Sequence, residues 1–180
     1  MKVYKSSKSL KGVAGSFSMN PSPTEQAIFI QMIHQTGYDE ARHIGTYSGG
    51  TKITVKLSIW EAGNLLDCFS NNREFSTVHK SATGMITVKF SPYFVDNKET
   101  GEKQQRGFGI FISKLGDDKK VSETFLLPIN FGEKCVIEQY LIVFLRQCFH
   151  LEMAEEKKQY KERQSAKIKP AEPNADEELG

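Results

Sequence analysis

Two short segments share a pattern that constrains the fold more than any other feature of the sequence. Ser58 is followed three residues later by Glu61, and Asn130 is followed three residues later by Glu133. This spacing is typical of a capping box, in which the two side chains satisfy free backbone N–H groups at the start of a helix. Because strand-like apolar runs precede both caps and helix-like runs follow them, we expect two sheet-then-helix halves, as after an internal duplication.

The apolar runs around each cap predict the secondary structure of both halves. Strands are expected at 10–19, 27–34, 44–47 and 52–57, and again at 75–80, 85–94, 108–115 and 121–127. A helix of about twelve residues is expected after Ser58, and a longer one over Phe131–Phe149. The polar residues 96–105 predict a hairpin loop, and Asn20–Pro23 should end the first strand. The fold class is therefore α+β with duplicated ββββα halves.

The charged residues are distributed unevenly along the 180-residue chain. Residues 1–151 carry 18 basic and 14 acidic side chains, residues 152–171 carry 6 and 4, and residues 172–180 carry four acidic side chains and no basic one. We expect one domain at 1–151, a charged helical extension at 152–169 and a disordered acidic tail at 170–180. A mildly basic domain followed by an acidic tail suits a protein that binds a polyanion.

The sequence offers no recognisable catalytic or cofactor site. It contains no glycine-rich phosphate loop, no GxSxG and no HExxH, so we expect a protein that is not an enzyme and needs no cofactor. The cysteines Cys68, Cys135 and Cys148 lie in apolar helical segments without CxxC spacing, and we expect them to be core residues. None of the four histidines stands beside a cysteine at metal-ligand spacing, so no metal site is expected.

The hydropathy of the chain and its N-terminal segment indicate the cellular compartment. No run approaches the roughly 18 apolar residues that a membrane span requires, so no membrane partner is expected. The segment MKVYKSSKSLKG lacks both an apolar signal region and the arginine-rich character of an organellar presequence. We expect an intracellular protein of the cytoplasm or nucleoid, of bacterial or phage type, with a mitochondrial location as the alternative.

Basic and aromatic residues are interleaved along the predicted strands. Single-strand binding requires cations beside the phosphates and flat apolar surfaces under the bases. The candidate nucleic-acid-binding residues are Lys8, Lys11, Phe17, Phe29, Lys52, Lys56, Lys89, Tyr93, Arg106, Phe111 and Lys114. Phe29 and Phe111 are favoured because each is out of phase with an apolar strand face, whereas Trp60 is expected to pack. The alternative interpretation is that the lysines form a solvated face and the aromatic residues form core.

Four features of the sequence form a recognisable combination: Val3-Tyr4-Lys5 with Lys11-Gly12-Val13-Ala14, a first strand that ends Met19-Asn20-Pro21, and the junctions Leu57–Glu61 and Leu127–Glu133. Over roughly residues 3–151, this combination resembles the Whirly family of single-stranded DNA-binding proteins. It implies two antiparallel four-stranded sheets packed with helices, a ring-like tetramer, and bases held between sheet edges of neighbouring protomers. A similar fold occurs in kinetoplastid mitochondrial guide-RNA-binding proteins and in the coactivator positive cofactor four, so RNA is an alternative ligand.

These observations lead to one main functional hypothesis and two alternatives. We expect a sequence-tolerant single-stranded DNA-binding protein of replication, recombination or repair that forms a homo-oligomer, with a tetramer favoured. The acidic segment Glu172–Gly180 is expected to recruit replication or repair proteins, or else to serve only solubility. The alternatives are an RNA-binding or annealing protein of the same fold, and a protein–protein scaffold with incidental affinity for nucleic acid.

Overall fold

The computed structural model describes residues 1–9, 11–22, 24–81, 84–116 and 121–168. The first half comprises β1 (Lys2–Lys5), β2 (Val13–Ser22), β3 (Glu25–His34), β4 (Gly37–Asp39), β5 (Ile44–Thr46), β6 (Lys52–Ser58) and α1 (Ile59–Ser70). The second half comprises β7 (Phe75–Ser81), β8 (Gly84–Asp96), β9 (Lys103–Leu115), β10 (Val121–Asn130) and α2 (Phe131–Ile168). The expected α+β fold with duplicated ββββα halves is confirmed.

Each half folds into a four-stranded antiparallel sheet. Sheet 1 has the order β1-β2-β3-β6, and sheet 2 has the order β10-β9-β8-β7. The short strands β4 and β5 pair only with each other and form a hairpin between β3 and β6. Apart from this insertion, both sheets are simple meanders, which is why each half reads as a run of strands followed by one helix.

The core lies between the inner faces of the sheets and the two helices. Five phenylalanines are its largest members: Phe69, Phe90, Phe108, Phe125 and Phe144. Where the sheets meet, the rings of His34 and Phe125 stack with centroids 4.1 Å apart. Gly15 lies against the Leu127 side chain, and a Cβ at Gly15 would overlap it. The glycine therefore permits β2 to approach β10 closely.

Both predicted capping boxes are present. The Ser58 backbone N–H donates to Glu61 Oε2 at 2.8 Å, and the Glu61 N–H donates to Ser58 Oγ at 3.3 Å. At the second helix, the Asn130 N–H donates to Glu133 Oε2 and the Glu133 N–H donates to Asn130 Oδ1, both at 2.8 Å. Each cap satisfies backbone donors that the first turn of a helix leaves unpaired.

The strand boundaries differ from the predicted ones in several places. β1 and β4 were not predicted, because four and three residues are too few to show periodicity. The hairpin between β8 and β9 is shorter than expected, since both strands continue into the polar segment 96–105. β2 continues through Pro21, because β1 pairs only with residues 13–16 and the missing N–H of Pro21 therefore removes no bond to β1.

α2 continues beyond the domain core into the charged segment of the sequence. Every residue from 152 to 165 is exposed, whereas Ile137, Leu141, Phe144 and Cys148 on the earlier turns are buried. Within the described residues, neither helix has a stretch long and apolar enough to span a membrane. Residues 169–180, which include the expected acidic tail, lie outside the described part of the chain.

Candidate nucleic-acid interface

The outer face of sheet 1 carries an aromatic side chain among lysines. Phe29 on β3 is half-buried, and its cross-strand neighbours are Ser18 on β2 and Lys56 on β6. Lys52 precedes Lys56 by four residues and therefore lies on the same face of β6, and both lysines are exposed. The expected basic face of β6 is therefore present and lies directly beside Phe29.

The outer face of sheet 2 repeats this arrangement. Phe111 on β9 lies between Lys89 on β8 and Leu126 on β10. A Cβ at Gly109 would lie 2.6 Å from Cε2 of Phe111, so the lack of a side chain there lets the ring lie along its own strand. Phe111 is half-buried, which leaves part of its ring open to a planar ligand.

A groove of about 660 Å³ begins at the end of the row Lys89, Phe111 and Leu126, at the junction of the two sheets. Its walls come from the β1–β2 loop and from the outer face of β10. The lining residues are Lys5, Ser6, Ser7, Ser9, Lys11, Gly12, Val13, His34, Thr124, Leu126 and Pro128. Because Leu126 both lines the groove and neighbours Phe111, a continuous surface leads from Lys89 across Phe111 into a groove with two lysines and three serines.

The lysines of this surface differ in their partners. Lys5 contacts both carboxylate oxygens of Glu133 at 2.7 Å, Lys56 lies 2.7 Å from Glu25, and Lys89 lies 2.8 Å from Glu74. No described carboxylate lies within ion-pair distance of Lys8, Lys11, Lys52 or Arg106. Exposed ion pairs contribute only about 0–1 kcal/mol, so Lys56 and Lys89 remain available to phosphate, whereas the pair of Lys5 with Glu133 is part-buried and holds its lysine more firmly.

The remaining candidates are distributed around this surface. Lys8 lies in an exposed turn and Lys11 is exposed just before β2. Tyr93 pairs with Gly107 on the outer side of sheet 2, and Arg106 is the extra residue at the adjacent register shift. Such a bulge redirects a side chain, and Arg106 is exposed. Lys114 is separate from the others. It follows the buried residues Ile110 and Ile112 at the same strand alternation, so it lies on the inner side, at the end of the sheet.

The structure contradicts three of the sequence-based assignments. Phe17 is only 3% exposed and belongs to the core, so it cannot stack on a base while the domain is folded. Trp60, which we expected to pack, is 82% exposed in the first turn of α1 because the buried residues of that helix lie on another face. Cys135 is exposed on α2, whereas Cys68 and Cys148 are buried as expected.

Sequence reasoning missed much of the groove. Lys5, Ser7, His34, Thr124 and Leu126 were not among the candidates, because they are distant in sequence and only the packing of β10 against β1 and β2 brings them together. The serine-rich segment SSKS was a usable signal, since hydroxyl and backbone N–H groups near lysines are common ligands of phosphate.

Comparison with solved structures identifies the fold. No family model and no curated protein matches the chain. WHY3 from Arabidopsis thaliana superposes with a TM-score of 0.58 at 17% identity, covering 87% of this chain and 91% of that chain. The plant transcriptional regulator PBF-2 gives a TM-score of 0.56 at 14% identity, covering 86% and 92%. MRP1/MRP2 of Trypanosoma gives 0.55 at 11% identity, covering 85% and 95%.

These matches confirm that the chain has the Whirly fold suggested by its junction segments. Each superposition covers most of both chains, so the likeness extends to the whole domain and is not limited to a single hairpin. At identities of 11–17%, the shared property is the arrangement of the backbone. The shared backbone does not define a function, which depends on the side chains that this chain presents on the fold.

Proposed function

We propose that the protein binds single-stranded nucleic acid with little sequence preference. The observation that carries this proposal is the continuous surface from Lys89 across Phe111 and Leu126 into the groove beside Lys5 and Lys11. It combines cations for a phosphate backbone with an accessible aromatic ring for unpaired bases. The fold shared with Whirly proteins and with MRP1/MRP2 supports the same ligand class.

The chemistry of the surface accounts for the low sequence preference. Lysine side chains replace the counterions of phosphates, an interaction that does not depend on the base. Every base has an aromatic face that stacks on a phenylalanine ring, at about 1–3 kcal/mol per base. Phe29 beside Lys56 offers a second place of the same kind on sheet 1. We propose single-stranded DNA in replication, recombination or repair as the ligand, with RNA as the alternative.

We also propose that the protein acts as a homo-oligomer, with a tetramer favoured. α2 exposes four large apolar side chains over its first five turns: Phe131 at 50%, Val136 at 57%, Val143 at 45% and Phe149 at 54%. Apolar residues concentrated on one helix are typical of a surface that is covered by another protein chain. Light scattering at micromolar concentration tests this, and a monomeric mass contradicts it.

We propose that acidic residues 172–180 contact replication or repair proteins. The role that we propose for the whole protein is non-enzymatic and intracellular. Among the described residues, no three histidine, cysteine or carboxylate side chains are grouped in a way that suits a metal ion. Binding to a phosphate backbone and to bases requires neither a metal nor a cofactor.

Anisotropy of a labelled oligothymidylate, measured over a range of salt concentrations, tests the binding proposal. The logarithm of the affinity should fall linearly with the logarithm of the salt concentration, with a slope of about 0.7 per neutralised phosphate. Lys11→Ala, Lys52→Ala, Lys56→Ala and Lys89→Ala should each reduce that slope, whereas Lys157→Ala, on the exposed extension of α2, serves as the matched control.

Competition among single-stranded DNA, duplex DNA and RNA then separates the alternatives. Preference for single strands over duplex supports the proposal, and the order of DNA and RNA identifies the ligand. Absence of binding to all three at low salt contradicts the proposal and favours a protein–protein scaffold.

A further inference from the structure

Gln35 stands out because its polar side chain is buried next to the groove. It is 5% exposed, and among the described residues it is the one polar side chain that is buried. Its Oε1 accepts from the Ser7 N–H at 2.8 Å, and its Nε2 donates to the carbonyls of Ser7 at 3.0 Å and Gly37 at 2.8 Å. One acceptor and two donors are satisfied, so burial of this amide leaves no group unpaired.

These bonds join two segments that are distant in sequence. Ser7 belongs to the loop between β1 and β2, which is described at residues 6–9 and 11–12, and Gly37 begins the β4–β5 hairpin. A second link between the same two segments runs from the Gly45 N–H to Ser6 Oγ at 3.0 Å. Ser6 Oγ also lies 3.3 Å from the Tyr47 hydroxyl just after β5. The hairpin and the loop are therefore joined by the buried Gln35 amide and, at an exposed position, by the Ser6 hydroxyl.

The two glycines around Gln35 show how closely this contact is packed. A Cβ at Gly12 would overlap both Oε1 of Gln35 and the carbonyl oxygen of Lys5, and a Cβ at Gly45 would lie 3.0 Å from Cδ of Gln35. The backbone of Gln35 adds a further bond, because its N–H donates to the Gly12 carbonyl at 2.9 Å. The loop is thus held near its start by Ser7 and at its end by Gly12.

The position of the loop matters because it forms one wall of the groove. Ser6, Ser7, Ser9 and Lys11 face Thr124, Leu126 and Pro128 across the groove, and Gln35 itself does not line it. We propose that Gln35 is a positioning residue, whose amide fixes the β1–β2 loop so that Lys11 and the serines face β10 at a spacing that suits a phosphate backbone. This inference rests on the proposed function and assigns to it a residue that does not touch the ligand.

The substitution Gln35→Met tests the inference, because it keeps the length of the side chain and removes all three hydrogen bonds. Affinity for oligothymidylate at low salt should fall on the order of tenfold, although no charge has changed. Gln26→Ala is the matched control, since Gln26 lies near the start of β3, whereas Gln35 follows its last residue, and Gln26 donates to the Cys148 carbonyl away from the loop. Its affinity should equal that of the wild type.

Two further measurements separate positioning from a general loss of structure. In Gln35→Met, hydrogen exchange should accelerate at the amides of Ser7 and Gly45 and remain unchanged in β8 and β9. In a double-mutant cycle, Lys11→Ala should reduce affinity less in the Gln35→Met background than in the wild type. Without the hydrogen bonds of the Gln35 amide, the β1–β2 loop no longer places Lys11 against the ligand.

Clear results would overturn the inference. An unchanged affinity in Gln35→Met, or an equal effect of Lys11→Ala in both backgrounds, excludes a positioning role. If Gln35→Met does not fold, Gln35→Asn decides, because it keeps the amide but is one methylene too short to reach both Ser7 and Gly37, and it should weaken binding severalfold; unchanged affinity there excludes the role as well. A wild-type protein that binds no nucleic acid contradicts the proposed function itself, whereas a binding wild type with an unaffected Gln35→Met contradicts only this inference.

Discussion

The two halves of the molecule use equivalent glutamates to hold their helices, but the two glutamates have different second partners. Glu61, which caps α1, accepts from Thr77 Oγ1 at 2.6 Å and lies 3.1 Å from His79 Nε2, and both partners are on β7. Glu133, which caps α2, contacts Lys5 at the end of β1. Each cap therefore ties its helix to the first strand of the other half.

The difference between the partners indicates a division of roles. The network of Glu61 is half-buried and distant from the groove, so its contribution is to stability. Lys5, in contrast, lines the groove, so Glu133 both caps a helix and neutralises a cation of the candidate interface. The two halves thus have equivalent glutamates, one of which is structural while the other is paired with a lysine of the candidate interface.

The largest expected effect concerns the aromatic residues at equivalent positions of the two sheets. Phe29 and Phe111 each lie on the third strand of their half, beside a lysine. Phe29→Ala and Phe111→Ala should each weaken single-strand binding by about 1–3 kcal/mol, because each removes one stacked base. Fluorescence anisotropy measures both, with Trp60→Ala as an exposed aromatic control; a loss in only one sheet shows that the halves are not equivalent in binding.

The next effect is on stability through Glu61. Glu61→Gln should lower the free energy of unfolding by about 1–2 kcal/mol, because it weakens a capping box and charged hydrogen bonds, and it should leave nucleic-acid affinity unchanged. Chemical denaturation followed by circular dichroism measures the loss. A change in affinity at unchanged stability would contradict the structural role assigned to this cap.

The same glutamate should make stability depend on pH. Burial opposes ionisation of Glu61, but hydrogen bonds from Thr77 and Ser58 and the proximity of His79 outweigh it, so its pKa lies below the usual value of 4.5. Its stabilising effect is therefore complete above about pH 4.5 and is lost as pH falls through the lowered pKa. The stability difference between wild type and Glu61→Gln should shrink in that acidic range.

Glu133→Gln should separate the two roles of the second cap. Stability should fall by about 1 kcal/mol, because the pair with Lys5 is partly exposed and the amide still accepts from the Asn130 N–H. Affinity for single strands should rise severalfold at low salt, since Lys5 is released to the ligand. Denaturation and anisotropy measured in parallel on Glu133→Gln and Glu61→Gln compare the two caps directly. If both variants bind single strands with the same affinity, Glu133 has no more influence on the ligand than Glu61 has.

The smallest effect is expected from the acidic tail. If residues 172–180 compete with nucleic acid for the lysine-lined groove, their deletion should tighten binding severalfold at low salt. The gain should vanish at high salt, because exposed ion pairs contribute about 0–1 kcal/mol and are screened within about 10 Å. An affinity that is independent of the deletion at every salt concentration would leave the tail as a partner-recruiting or solubilising segment.

The sequence by itself determined the local elements of this protein and the faces of its strands. Ser58 and Asn130 predicted both helix starts because a capping box involves residues only three positions apart. Phe29 and Phe111 were placed on the outer faces because strand alternation is also local. The same logic failed for Phe17, because the small residues around it on β2 gave too weak an alternation to identify the buried face.

Only the tertiary structure decided how these elements meet. The groove requires the β1–β2 loop to lie against residues more than 110 positions later on β10, and the partners of Glu61 and Glu133 come from opposite halves. Likewise, Gln35 became informative only when its amide was seen to join the loop to the hairpin. Periodicity records which side of an element is apolar, whereas contacts between distant elements depend on how whole faces pack, which no local pattern encodes.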